Sequence, residues 1–173
     1  MIKMLAIESM SWLPWIIIPI LIEIIPAIGN FILLIIKSFV KPKERYIEKL
    51  PEITIMIPVY NSEGTLYECL KSINDSTYPN ELIDIILIDN KSKDDSFKIF
   101  QQSQKEFYTL SMQWTHSEQG KSRALNLALF NASGKYIINI DSDGKLEKEA
   151  IYNLVKKFET NDDIHCMTGV ILT

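Results

Sequence analysis

The sequence predicts an α/β fold: a doubly wound, mostly parallel sheet preceded by an N-terminal transmembrane helix. Three observations carry this. From Ile53 onward, short apolar runs alternate with stretches of helical periodicity, the pattern of a parallel sheet with crossover helices. Three of the apolar runs end in polar clusters, Pro58 to Glu63, Asp89 to Ser92 and Asp141 to Asp143. Before all of this, Trp12 to Ile36 carries a single charge, Glu23.

That first stretch spans roughly 37 Å as a helix, enough to cross the hydrocarbon core with some tilt. Trp12 and Trp15 stand at one end as interface anchors, and Lys37, Lys41, Lys43 and Arg45 follow the other, with only Lys3 ahead of it. The positive-inside rule then puts the N-terminus outside and the rest in the cytoplasm, a single pass in the cell membrane. Pro19, Pro26, Gly29 and Asn30 leave a kinked or re-entrant segment as the alternative. Glu23 is expensive in hydrocarbon and points to partner membrane helices. Residues 1–40 are read as the membrane segment, 41–52 as a charged linker and 53–173 as the globular domain.

In the domain, Ile53 to Val59 is a strand and Gly64 to Ser76 a helix with Leu66, Leu70 and Ile73 on one face. Ile83 to Ile88 is nearly continuously apolar, which suits a strand buried on both faces. Asp94 to Phe107 is a helix with Phe97, Phe100 and Phe107 as its inward stripe. Leu110 to Thr115 is a shorter strand. Gln119 to Asn131 is a helix with Ala124, Leu125, Ala128 and Leu129 inward. Lys135 to Ile140 is a strand, Glu147 to Glu159 a helix with Glu147 and Glu149 in its first turn, and Ile164 to Leu172 a last strand.

In doubly wound sheets ligands bind outside the carboxyl ends of the strands, so the three polar clusters belong on one rim. Asp141 and Asp143 stand two apart. In extended chain both would face one point, and paired carboxylates suit a hard cation, Mg²⁺ or Mn²⁺, completed by phosphate oxygens. The competing reading is an acidic turn, for which Asp-Ser-Asp-Gly is good chemistry. No Gly-x-Gly-x-x-Gly is present, and Gly120-Lys121-Ser122 lacks the P-loop glycine, Thr115 standing in its place. As a helix N-terminus Gly120-Lys121 still offers a phosphate cradle. A net charge of −4 gives no basic excess for nucleic acid. Cys69, Cys166, His116 and His165 show no zinc or disulfide spacing.

Pro58-Val59-Tyr60-Asn61 with Glu63, Asp89-Asn90-Lys91-Ser92 with Asp94, Gly120-Lys121 with Ala124-Leu125-Asn126, and Asp141-Ser142-Asp143 occur in this order. Together they resemble the family 2 glycosyltransferases, whose nucleotide-sugar-binding fold is called GT-A, over residues 53–173. With the N-terminal membrane segment, the chain also looks like the membrane glycosyltransferases that accompany exosortase systems in Gram-positive bacteria. The resemblance implies a donor pocket lined by Pro58, Tyr60 and Glu63, with Asp89 on the base edge and Gly120, Lys121 and Asn126 near ribose and diphosphate. It implies Asp141 at the ribose or at a metal-bound water, and Asp143 as ligand of Mn²⁺ or Mg²⁺. The implied reaction is inverting sugar transfer from a UDP-sugar at the cytoplasmic membrane face, building cell-envelope polysaccharide. Its general base is expected beyond Thr173, the domain reading as the first part of a longer one. Asn90 and Lys91 depart from the family's usual Asp-Gly. Two other readings stay open: a catalytically idle nucleotide-sugar-binding or scaffolding module, and a nucleotidyltransferase, which would want an arginine-rich phosphate loop that Tyr60 to Gly64 lacks.

Overall fold

The computed structural model describes residues 14–39, 47, 49–161 and 163–169. Trp12, most of the expected linker and the end of the expected last strand lie outside the described residues. The chain divides into two compact units, Met1–Glu44 and Arg45–Thr173.

In the first unit, Pro14–Ile36 is helical and its mean hydropathy of 2.3 makes it long and apolar enough to cross a bilayer. The helix is not uniform. Ile20–Ile24 widens into a π-helical turn, after which α1 (Ile25–Phe39) resumes α geometry. Glu23 falls inside the π turn. Pro19 and Pro26 flank that turn, and each removes a backbone donor from the helical ladder.

The second unit holds four parallel strands, β1 (Ile53–Val59), β2 (Ile83–Asp89), β3 (Ser111–His116) and β4 (Tyr136–Asn139), in the order β3-β2-β1-β4. Helices α2 (Leu66–Asn74), α3 (Ser96–Glu106), α4 (Lys121–Asn131) and α5 (Ala150–Thr160) connect or follow them. Side chains alternate across a strand, and β1 and β2 use both faces. Ile53, Ile55, Ile57 and Val59 join Ile83, Ile85 and Leu87 in one cluster with α2, α3 and α5, through Leu66, Leu70, Ile73, Phe100, Ile151 and Val155. Met56, Ile86 and Ile88 face the other way, onto Ala124 and Ala128 of α4. That double burial explains why both strands read as continuous apolar runs rather than alternating ones. Strand order reverses at β1: β2 and β3 lie to one side and β4 to the other. Right-handed crossovers then require α2 and α3 on one face and α4 on the opposite one.

The close fit of β4 on β1 depends on Gly134. Its N–H donates to the buried Thr54 hydroxyl at 2.9 Å, and Lys135 N–H donates to Glu52 carbonyl at 2.8 Å.

Several expectations need correction. Phe97 is 47% exposed rather than part of the core. The buried set on α3 is Ser96, Phe100 and Ser103, and Phe97 falls one residue off that seam, its ring resting edge-on against Trp114. Leu129 is 53% exposed. The seam of α4 runs through Ala124 and Ala128, small residues that bring the helix close to the sheet, and Leu129 points about 100° away from it. Glu147 and Glu149 precede α5 rather than occupying its first turn, Glu149 being the N-cap residue. Ile164 to Gly169 forms no strand. Apolar residues without a neighbouring ladder do not make one.

Cys69 is fully buried and Cys166 exposed. Burial, with Asp143 and then Asp141 nearby, pushes the Cys69 thiol up to about 12. Native protein at pH about 8 is therefore expected to alkylate at Cys166 and to protect Cys69 until unfolded, because only the thiolate reacts. Equal labelling of both cysteines by mass spectrometry would contradict this placement.

Candidate donor-binding site

The segments that leave the carboxyl ends of the strands are tied together by hydrogen bonds between residues far apart in sequence. After β1, Asn61 turns the chain with φ 48°. Its N–H donates to Ser92 Oγ at 3.1 Å, and its own side-chain oxygen accepts from Lys93 N–H at 2.9 Å. Glu63 N–H donates to Asp94 Oδ2 at 2.9 Å, while Asp95 N–H donates to Glu63 Oε2 at 3.0 Å. The loops after β1 and β2 thus brace one another.

Asp89 ends β2 and is 9% exposed. One carboxylate oxygen accepts from Ser92 N–H at 2.9 Å, and the other lies 3.1 Å from His116 Nδ1 at the end of β3. Lys91 holds φ 64°, a conformation that glycine adopts without the roughly 1–2 kcal/mol charged to a residue with a Cβ. The family's usual glycine at this place therefore suits the backbone, which Lys91 keeps. Asn90 has its own role. Its Oδ1 accepts Gly120 N–H at 2.7 Å, which ties the loop after β2 to the start of α4. Gly120 takes φ 132°, a value L side chains rarely adopt.

Asp141 to Gly144 is a β-turn closed by Gly144 N–H donating to Asp141 carbonyl at 2.8 Å. This corrects the extended reading of the two acids: β4 ends at Asn139, and Ser142 and Asp143 occupy the turn. Both acids remain exposed. Lys121, at the first position of α4, reaches across to place Nζ 2.8 Å from Asp141 Oδ1. Below the turn, the Cys69 thiol approaches Asp141 carbonyl at 3.7 Å.

Among the described residues, no group of three or more His, Cys, Asp or Glu converges as a metal cage. Asp141 and Asp143 alone suit a cation that keeps waters and takes phosphate oxygens, as Mg²⁺ does, and not one held wholly by protein.

The structure brings most of the expected residues to the rim. Pro58 is half-buried in β1 and pairs with Ile88. Tyr60 is 52% exposed beyond β1. Glu63, Asp89, Gly120, Lys121 and Asp141 join the hydrogen-bonded set described above. Asn126 lies further along α4 with an exposed side chain and joins none of those bonds. The sequence places Ser62, Asn90, Ser92 and Ser142 in the polar clusters but gives no notice of the ties Asn61–Ser92, Ser62–Ser96, Ser62–Ser142 and Asn90–Gly120, because each spans thirty residues or more.

Asp94 accepts from Ser96 Oγ at 2.6 Å, Ser96 N–H at 3.2 Å and Glu63 N–H at 2.9 Å. Its partial burial works to raise its pKa, but these donors outweigh that and hold it below the ordinary 3.8. A carboxyl depressed on folding stabilises the protein above its unfolded value, and that contribution is lost as pH falls through the folded one. Asp94→Asn is therefore expected to lower the unfolding midpoint at neutral pH, with the difference from wild type closing below pH about 4. A difference of equal size at both pH values in thermal melts would contradict the assignment.

An open parallel sheet with polar groups gathered beyond its strand ends, centred where strand order reverses, is the class of α/β site that receives a ligand at a topological switch point. The family model described as "Glycosyl transferase family 2" matches residues 54–171, and the chain belongs to that family. It is 35% identical over 123 residues to the poly(ribitol-phosphate) beta-glucosyltransferase of Bacillus spizizenii, covering 69% of this chain and 19% of that relative. It is 38% identical over 109 residues to glycosyltransferase GlyA of Streptococcus pneumoniae, covering 61% of this chain and 15% of the relative. Among solved structures it resembles mannosyltransferase PcManGT from Pyrobaculum calidifontis in complex with GDP-Man and Mn²⁺, with a TM-score of 0.62 and 25% identity over 69% of this chain and 35% of that one. Staphylococcus aureus TarS 1-349 in complex with UDP-GlcNAc gives a TM-score of 0.55 and 25% identity over 62% of this chain and 31% of that one. The chain thus spans under a fifth of the length of these two curated relatives.

Proposed function

We propose that this chain is the donor-binding part of a membrane-anchored glycosyltransferase that takes a nucleotide-diphosphate sugar, a UDP-sugar by preference, with a divalent cation. The observation that carries it is the Lys121–Asp141 contact of 2.8 Å, which puts the N-terminus of α4 and its cation beside the acid turn. A helix N-terminus and a lysine attract phosphate oxygens, and the neighbouring carboxylates attract the cation that such phosphates carry. In this reading Tyr60, Pro58 and Glu63 border the nucleoside, Asp89 accepts from the base edge, and Gly120 and Lys121 face the diphosphate. Asn126 lies behind them on α4. Asp143 holds the metal, with Asp141 beside it. A bound Mg²⁺ or Mn²⁺ would supply positive charge against the diphosphate leaving group.

The reaction proposed is attack of an acceptor hydroxyl on the anomeric carbon with inversion, at the cytoplasmic membrane face. The apolar helix Pro14–Ile36 serves as the anchor, its N-terminus outside, with 1–40 as the membrane segment and 41–52 leading to the domain at 53–173. Curated relatives named for poly(ribitol-phosphate) transfer support a cell-envelope polymer as acceptor.

The test is calorimetric titration of UDP and GDP into the full chain in detergent, with and without Mn²⁺. Mn²⁺-dependent binding with UDP tighter than GDP is expected. Binding of neither nucleotide by folded protein would overturn the reading and favour a catalytically idle scaffolding module. Pyrophosphate release from a nucleoside triphosphate would favour a nucleotidyltransferase.

A further inference from the structure

The bond that crosses the switch point between β1 and β4 belongs to two serines. Ser62 Oγ and Ser142 Oγ lie 2.7 Å apart. Ser62 is 6% exposed and sits in the loop that carries Tyr60 and Glu63. Ser142 is half-buried in the turn between Asp141 and Asp143. Either hydroxyl can donate in this pair. Ser62 Oγ also lies 3.3 Å from Tyr60 carbonyl, and when its proton goes there Ser142 is the donor to Ser62. The Ser62 N–H is held in turn by Ser96 Oγ at 2.8 Å, and Ser96 donates to Asp94. A continuous chain of bonds therefore runs from the acid turn through Ser142 and Ser62 to the loops after β1 and β2.

We propose that Ser142 is a positioning residue that couples cation binding at the acid turn to nucleotide binding at the loop after β1. This rests on the donor-site reading above. The side chain needs no contact with either ligand. Its hydroxyl fixes the turn relative to Tyr60, so that a cation held at Asp143 and a nucleoside held at Tyr60 meet one diphosphate without a rearrangement of either loop. Removing that hydroxyl leaves the acids and the nucleoside contacts in place but lets the turn shift against the loop.

The test is the Mn²⁺-induced gain in UDP affinity, measured by calorimetry on the full chain for wild type, Ser142→Ala and Ser142→Thr. Ser142→Ala is expected to reduce that gain by about fivefold, the equivalent of one hydrogen bond, with metal-free UDP affinity unchanged. Ser142→Thr keeps the hydroxyl and is expected to restore the gain. A merely structural serine would lower the melting temperature and leave the ratio of the two affinities untouched, and that result overturns the proposal. So does a Thr variant as defective as the Ala variant. If wild type binds UDP with no dependence on Mn²⁺, the metal part of the donor-site reading fails and the coupling falls with it. A full Mn²⁺ gain in Ser142→Ala sinks the coupling alone.

Discussion

Asp143→Asn is expected to abolish Mn²⁺-dependent UDP binding while the protein stays folded. Asp141 and Asp143 are the acids of the turn beyond β4, and Asp141 already faces the Lys121 ammonium at 2.8 Å. Asp143 is therefore the carboxylate freer to meet a cation. Loss of a partner one shell beyond a metal typically costs 10–100-fold in affinity, so loss of the direct ligand is expected to weaken Mn²⁺-dependent binding by at least about 100-fold. The substitution removes charge from an exposed side chain, and its effect on the melting temperature is expected to be small. Calorimetry of UDP with Mn²⁺ beside a thermal melt separates the two effects. Unchanged metal-dependent binding in the variant would remove Asp143 from the site.

Gly134→Ala is expected to be the most disruptive single methyl in the domain. A Cβ at Gly134 would stand 2.5 Å from Ile53 C and 2.5 Å from Thr54 N, distances at which real Cβ contacts are not found. The obstacle is the backbone of β1, a central strand, and not a movable side chain. To admit the methyl, the entry to β4 must lift away, losing the Gly134–Thr54 bond and loosening the β1–β4 register that begins at Ile53↔Tyr136. Overpacking against an ordered core costs about 1–3 kcal/mol, and the upper end applies here. The unfolding midpoint should fall by roughly 10 °C. Because β4 leads into the acid turn, UDP binding should weaken as well. A midpoint equal to wild type would mean that β4 does not sit against β1 as described.

The architecture was legible because burial on both faces leaves so plain a trace. Ile55–Val59 and Ile85–Ile88 are apolar on successive residues, which requires cover above and below, and the helical stretches between them supply it. The rim was legible for the same reason: an apolar run that gives way to Asp89 or Asp141 marks where the sheet stops and solvent begins. What sequence spacing could not supply was the last few ångströms. Phe97 and Leu129 each lie one residue off a helix seam, a rotation that composition does not encode. The acids at 141 and 143 were expected to share a side in extended chain, whereas Gly144 closes a turn on them. Asn90–Gly120 and Ser62–Ser142 join residues 30 and 80 apart, and only the completed sheet brings such partners together. The Asn90 and Lys91 departures are explained by the same local geometry, one as a tie to α4 and the other as a tolerated positive φ.

The central claim is that the rim beyond the strand ends binds a metal–nucleotide diphosphate. Amide hydrogen exchange of the full chain in detergent, with and without UDP and Mg²⁺, tests it most directly. Protection is expected in the segments around Tyr60 to Gly64, Asp89 to Ser92, Gly120 to Ser122 and Asp141 to Gly144, and is expected to be strongest when both ligands are present. Protection that leaves these segments untouched and appears instead on the outer face of α3, around Gln101 and Lys105, would contradict the account.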